Sequence, residues 1–238
     1  MDPISRRRFL KTAALALPGA TLMGCHGIAG ASTAPAAAAA DSAAPAFLSD
    51  EEKHFLDAAT ERLIPADASG PGALQAGVTT FIDLQLNGPY GLAQTWYMRG
   101  PWRDGTEQQG YQSKLTPAQL YRNAIRDIQA HCQQAYGKRF EELPAATQDA
   151  VLHGLEDGTI ALANTPAKTF FAMLWQNTQE GFLADPIYGG NRDFAGWKLI
   201  GFPGPRYNYV AEIGQFGKPY TLPTVGLAGR THPRGRGG

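Results

Sequence analysis

The chain has 238 residues, of which 43% are hydrophobic and 18% charged, and its 21 basic and 21 acidic side chains give a formal net charge of zero. This balance provides no electrostatic attraction for nucleic acid and argues against nucleic-acid binding. The chain has two cysteines, Cys25 and Cys132. They are too few and too far apart for a c-type haem motif, an iron–sulfur cluster or a disulfide framework, so we expect no cofactor in this chain.

The amino terminus matches an export signal. Residues 5–11 fit the pattern S-R-R-x-F-L-K at every fixed position, and a modest apolar run follows over 12–24. That run is too short to span a bilayer comfortably. The pattern predicts that the twin-arginine (Tat) translocase carries the folded protein across a membrane into the periplasm. The motif residues on which this prediction rests are Arg6, Arg7, Phe9 and Leu10.

The end of the signal has two interpretations. Leu22-Met23-Gly24-Cys25 resembles a lipobox, which would make Cys25 a lipidated amino terminus, whereas a small-residue site allows soluble cleavage after Ala31. The following residues are almost entirely Ala, Pro, Ser and Thr, which suits a tether. We assign 1–31 to the signal and 32–46 to a linker, both expected to be disordered, 47–225 to one helical domain and 226–238 to a flexible tail.

Two helices are predicted at the start of the domain. Ser49 and Glu52 form a capping box, in which each side chain accepts a hydrogen bond from the other residue's backbone amide. The first helix should end before Pro65. Residues 65–77 are rich in Pro, Ala and Gly and predict a loop, and the apolar residues that follow predict a second helix over 78–86.

Residues 88–114 have no helical period and contain several aromatic residues among turn-forming glycines and prolines. A loop of this length inside a domain is usually functional. The aromatic residues from Trp96 to Tyr111, among them Trp102, could stack on a sugar or fill a groove on a partner protein. The residue pattern does not separate these two functions.

A long helix is predicted over 117–136, because Thr116-Pro117 is a start signal and Gly137 a stop signal. Its apolar stripe consists of Tyr121, Ile125, Ile128, Cys132 and Ala135. Cys132 on this stripe is either a buried inert thiol or one half of a disulfide to a partner subunit.

Two further helices are predicted, over about 144–157 and from Thr165-Pro166 through Phe182. After Asp185, Gly and Pro recur every few residues, so we expect no element longer than a turn. No alternating β pattern is sustained. The fold class is therefore mainly α, with long ordered loops rich in Gly, Pro and aromatic residues.

The sequence lacks the common motifs for catalysis and cofactor binding. The chain contains no G-x-G-x-x-G string, P-loop or G-x-S-x-G elbow. Glu51 and His54 have the E-x-x-H spacing of di-iron bundles, but no second pair accompanies them. We interpret this pair as a solvated helix start and predict neither catalytic nor metal-binding residues.

Three strings in the last third of the chain resemble the signature of the gluconate 2-dehydrogenase small subunit, or subunit 3, family. They are D-P-I-Y-G-G-N-R-D at 185–193, G-W-K at 196–198 and G-F-P-G at 201–204. Supporting matches are L-S at 48–49, E-R-L-I-P at 61–65, G-V at 77–78 and F-I-D at 81–83. The likeness covers about residues 47–215, and the twin-arginine leader is typical of the family.

The resemblance implies a non-catalytic subunit. In this family a large flavoprotein of the glucose–methanol–choline (GMC) oxidoreductase type carries FAD and oxidises a sugar or sugar acid. A multihaem cytochrome c, or another acceptor, takes the electrons. The small subunit supplies the export signal for its folded partner. The complex would be periplasmic and associated with the membrane, either through its other subunits or through a lipid on Cys25.

The signature also has a direct physical interpretation. Gly189 and Gly190 can adopt positive φ, and Trp197 is a large amphipathic anchor. Such a loop suits close docking on another protein, or it closes the helices internally. The residues expected to contact the partner or to order these loops are Trp96, Trp102, Tyr188, Gly189, Gly190, Asn191, Arg192, Asp193 and Trp197.

An alternative function is a stand-alone periplasmic protein that binds or processes a sugar through the aromatic loop. A third is an export chaperone that releases its client after translocation. Both differ from the subunit hypothesis because neither predicts a stable complex with a flavoprotein.

Overall fold

The computed structural model describes residues 46–103 and 105–228. The export signal, Cys25 and all but the last residue of the linker lie outside these ranges. Within them the chain forms seven α-helices and no β-strand, which confirms the predicted fold class. The α-helices are α1 Asp50–Leu63, α2 Ala73–Ala76, α3 Val78–Leu86, α4 Pro117–Tyr136, α5 Ala145–Asp157, α6 Ala167–Leu183 and α7 Ala195–Ile200. Short 3-10 turns lie at Glu107–Gln109, Phe140–Glu142, Pro186–Tyr188, Arg192–Phe194 and Val210–Glu212.

Local capping signals set the ends of the best-predicted helices. At α1, Ser49 Oγ accepts a hydrogen bond from Glu52 N at 3.3 Å, and Glu52 Oε2 accepts one from Ser49 N at 2.9 Å. Thr116 and Gln119 repeat this capping box at α4, which ends at Gly137 with a φ of 66°. The predicted bounds of α3 and α4 agree with the structure. α5 begins at Ala145, one residue after its predicted start.

Two short helices were not predicted from the sequence. α2 occupies four residues of the predicted 65–77 loop, and α7 occupies six residues of the region expected to contain only turns. Neither is long enough to show an apolar period. The stripe on α4 was also overextended, since Ala135 is exposed whereas the preceding four members are buried.

The core surrounds α6, which packs against every other α-helix of the described ranges. Phe170 and Leu174 on α6 have no exposed surface. Gly181 lies so close to α3 that a Cβ added there would be 2.9 Å from the Phe81 ring. Glycine at this position therefore permits the approach of the two helices. No helix in the described part of the chain combines the length and the apolar character needed to cross a bilayer.

One polar group on α6 joins three parts of the fold. The Asn177 Oδ1 atom accepts hydrogen bonds from the hydroxyls of Tyr121 on α4, at 2.8 Å, and of Tyr90 in the aromatic loop, at 3.1 Å. The Asn177 Nδ2 atom donates to Glu180 at 3.1 Å. Burial raises the pKa of Tyr90 to about 12 and that of Tyr121 well above its ordinary value, so both hydroxyls remain protonated donors.

We predict that Asn177→Ala lowers the free energy of unfolding by about 2–3 kcal/mol, because it leaves both tyrosine hydroxyls without their acceptor. Tyr121→Phe removes one donor and leaves the Tyr90 bond in place, so its cost should be smaller, about 1 kcal/mol. Urea unfolding of the purified protein measures both values. Gln179→Ala, an exposed change on the same helix, serves as the control. An equal loss for Tyr121→Phe and Asn177→Ala would contradict the shared-acceptor arrangement.

Candidate partner-docking surface

The signature segment, residues 185–204, begins with a carboxylate that orders two pieces of backbone, one next to it and one distant in sequence. Asp185 accepts hydrogen bonds from Ile187 N, at 3.0 Å, and from Leu227 N, at 2.7 Å. The first bond closes the turn over Pro186–Tyr188. The second bond fastens the end of the described chain to the end of α6. Leu227 lies two residues beyond the predicted domain boundary at residue 225.

Two glycines of the signature let its backbone lie directly on α6. A Cβ on Gly190 would be 2.1 Å from the Gly181 carbonyl oxygen, and a Cβ on Gly196 would be 2.1 Å from that of Phe182. Real Cβ atoms do not approach oxygen so closely, so any other residue would force the segment away from the helix. These glycines are required for the close approach of backbone to backbone.

Asn191 and Trp197 satisfy the free end of α6. The Asn191 Nδ2 atom donates to the Ala184 carbonyl at 2.7 Å, and the Trp197 indole N–H donates to that of Leu183 at 2.6 Å. The Asn191 Oδ1 atom also accepts from Gly196 N at 2.8 Å. The last carbonyls of a helix lack partners within it, so these side chains act as its cap. Asn191 is 0% and Trp197 5% exposed, which assigns both residues to ordering the loop.

The turn between these two caps has an unfavourable backbone conformation. Asn191, Asp193 and Phe194 have φ values of 46°, 54° and 59°. For a bulky residue such as Phe194 a left-handed conformation costs on the order of 1–3 kcal/mol. The Phe194 ring stacks on Trp197 at 5.5 Å, and Arg192 donates to Thr80 on α3 at 2.9 Å. These contacts hold the turn in place.

An apolar groove opens beside the signature, between α3 and α6, and we call it the α3–α6 groove. Its volume is about 550 Å³. Two of its large apolar lining residues are well exposed, Tyr188 at 50% and Leu183 at 41%. The residues that line it are Phe81, Gln85, Gln179, Glu180, Leu183, Ala184 and Tyr188. Of the predicted interface residues, Tyr188 is the large apolar side chain that the structure leaves accessible here.

The two tryptophans of the aromatic loop differ in their surroundings. Trp96 is partly buried between Tyr90 and Tyr111, with ring centroids 5.7 Å and 5.0 Å away. Trp102 is 40% exposed. The Trp96 ring therefore packs inside the domain, and Trp102 is the one of the pair that can meet a ligand or a partner.

Cys132 has no exposed surface, and burial raises the pKa of its thiol to about 11. A disulfide to a partner subunit would require α4 to leave the core, so this environment favours the interpretation as an inert thiol. In the described ranges no three His, Cys, Asp or Glu side chains are grouped so that they could hold a metal ion.

A match to a known protein family identifies the domain to which this arrangement belongs. The family described as gluconate 2-dehydrogenase subunit 3 matches residues 50–204. This chain belongs to the gluconate 2-dehydrogenase subunit 3 family. No curated protein and no solved structure matches it. The match begins with α1 and ends with the signature segment, so the helix cap described above belongs to the subunit 3 domain itself.

We predict that Asn191→Ala lowers the free energy of unfolding of this subunit 3 domain by about 2 kcal/mol, because it leaves the Ala184 carbonyl and the buried Gly196 amide without partners. Lys198→Ala, an exposed change on α7, should cost less than about 0.5 kcal/mol. Urea unfolding compares the two variants. Equal stability of Asn191→Ala and the unmodified protein would mean that the signature does not cap α6.

Proposed function

We infer that this chain is the non-catalytic, exported small subunit of a FAD-dependent sugar or sugar-acid dehydrogenase complex. The observation that carries this proposal is the family match over residues 50–204, which makes the chain an accessory subunit of the gluconate 2-dehydrogenase type. The catalytic partner is a large flavoprotein of the glucose–methanol–choline type, which holds FAD. A multihaem cytochrome c is proposed as the subunit that accepts the electrons.

The α3–α6 groove supports a docking role for this subunit. It exposes Leu183 and Tyr188 next to a segment that hydrogen bonds fix on α6. Exposed apolar patches with polar surroundings mark protein contact sites. A rigid support lowers the entropy lost on association. In this proposal the groove receives the flavoprotein and Tyr188 is a central contact.

Export is the second part of the proposal. The twin-arginine motif, with Arg6 and Arg7, would address the folded assembly to the translocase, so that a flavoprotein already loaded with FAD travels with this chain. The complex would then lie in the periplasm, associated with the membrane through its other subunits or through a lipid on Cys25.

The stand-alone sugar-binding function has weaker support. It would use stacking on Trp96 and Trp102, but Trp96 packs between two tyrosines of the same loop. The accessible aromatic side chains of the loop are Trp102 and Tyr97, which are 40% and 83% exposed. A sugar bound by the purified chain without any partner would favour this alternative over the subunit.

The export role is tested by co-expressing the full chain with the genes that flank it and locating the flavoprotein. We expect Arg6→Lys with Arg7→Lys to hold both proteins in the cytoplasm, because the receptor reads the arginine pair. Arg8→Lys changes the variable position of the motif and should leave export unchanged. Flavin absorbance and immunoblots of the periplasmic, membrane and cytoplasmic fractions report the result. Normal export of the flavoprotein beside the double variant would refute joint transport.

The docking role of the groove is tested by Tyr188→Glu, which places a charge at its edge. We expect the dissociation constant for the flavoprotein to rise by about tenfold or more, as for loss of a central interface contact. Tyr136→Glu on α4 is the matched control, because Tyr136 is 44% and Tyr188 50% exposed. Binding of the immobilised variants to purified flavoprotein gives the constants. Equal constants for the two variants would remove the groove from the interface.

A further inference from the structure

Beyond the family match, the chain leaves the helical domain after Gly204 and returns to it at Val225. We call residues 205–224 the C-terminal loop. Its base is closed by a hydrogen bond from Val225 N to the Pro203 carbonyl at 3.3 Å. Gly204 has a φ of 87°, and a Cβ there would be 1.8 Å from the Val225 carbonyl oxygen. The hydrogen bond from Leu227 N to Asp185 fastens the returning segment to the end of α6.

The C-terminal loop has an internal framework of its own. Arg206 donates to the Pro223 carbonyl, and its guanidinium lies 5.5 Å from the ring centroid of Tyr220. The Tyr209 hydroxyl donates to the Gly204 carbonyl at 2.6 Å, and the Tyr209 and Tyr220 rings meet edge to face at 6.2 Å. A loop with closed ends and its own packing is preformed, which lowers the entropy cost of binding.

Arg206, Tyr209 and Tyr220 form this framework, and large apolar side chains of the loop remain exposed. Tyr207 is 102%, Val210 67%, Ile213 78% and Phe216 92% exposed. Scattered single apolar residues on a surface are ordinary, but four large ones within ten positions of a closed loop suit a contact surface.

The C-terminal loop adjoins the α3–α6 groove. One carboxylate, that of Asp185, accepts hydrogen bonds from both Ile187 N and Leu227 N. Ile187 and Leu227 are 58% and 62% exposed. The turn that carries Tyr188 and the segment at the base of the loop therefore meet at Asp185.

The charges of the loop favour a protein partner over an anionic lipid surface. Residues 205–224 contain Arg206, Glu212 and Lys218 as their charged side chains. Arg206 is engaged with Pro223 and Tyr220 inside the loop. Glu212 and Lys218 cancel each other. Insertion into a membrane interface usually relies on several basic residues for attraction to anionic lipids, and this loop lacks that excess.

We propose that the C-terminal loop is a second docking element, which inserts Ile213 and Phe216 into an apolar cleft of the catalytic flavoprotein. This inference rests on the proposed function, since it requires the complex to exist. The loop lies outside residues 50–204, the part of the chain that the family matches.

The test uses the full chain, tagged after Gly238 and co-expressed with its flavoprotein, with the double variant Ile213→Ser/Phe216→Ser. We expect the dissociation constant for the flavoprotein to rise about 30-fold, the factor typical of losing a hot-spot contact. The urea midpoint should not change, because both side chains are exposed. Leu92→Ser/Tyr136→Ser, which removes apolar side chains that are 58% and 44% exposed, is the matched control and should bind normally.

Failure of the inference is distinguishable from failure of the proposed function. If the unmodified chain purifies without any flavoprotein, the proposed function itself is wrong. If Tyr188→Glu weakens the complex but Ile213→Ser/Phe216→Ser does not, the complex stands and the loop is not a docking element. Loss of binding to phosphatidylglycerol vesicles in the double variant, with flavoprotein binding unchanged, would instead make the loop a membrane contact. Loss of a homodimer by light scattering would make it a self-association surface. Either result overturns the proposal.

Discussion

The central position of α6 is the constraint on which the rest of the structure depends. A helix that packs against every other described α-helix has to satisfy its polar groups within the protein. Along its side, Asn177 does so by accepting hydrogen bonds from two tyrosines, one on α4 and one in the aromatic loop. At its end, the Leu183 and Ala184 carbonyls receive hydrogen bonds from Trp197 and Asn191. The aromatic loop and the signature segment are therefore held in place by hydrogen bonds that their side chains donate to α6.

This arrangement separates two functions within the signature segment. Gly190, Gly196, Asn191 and Trp197 face inward and determine how the segment lies on α6. Ile187 and Tyr188, in the turn next to them, are exposed, and Tyr188 lines the α3–α6 groove. A sequence match to the signature therefore reports mainly on the fold of the subunit, and the contact with a partner falls to its exposed neighbours.

The sequence predicted those elements whose ends have local chemical signals. The capping boxes at Ser49 and Thr116 located α1 and α4, because each involves residues only three positions apart. α7 could not be predicted this way, since it follows Phe194 in a left-handed conformation and has no side-chain cap. The internal role of Trp197 and the packing of Trp96 depend on residues far along the chain. The sequence indicated that both tryptophans make large apolar contacts, but it could not show whether those contacts are with a partner or with the core.

The two hydrogen bonds that Asp185 accepts couple parts of the chain that lie far apart in sequence. Ile187 N in the turn over Pro186–Tyr188 and Leu227 N beyond the C-terminal loop share this one carboxylate. Losing that carboxylate would release both at once. The turn that carries Tyr188 and the base of the C-terminal loop are therefore expected to lose their order together.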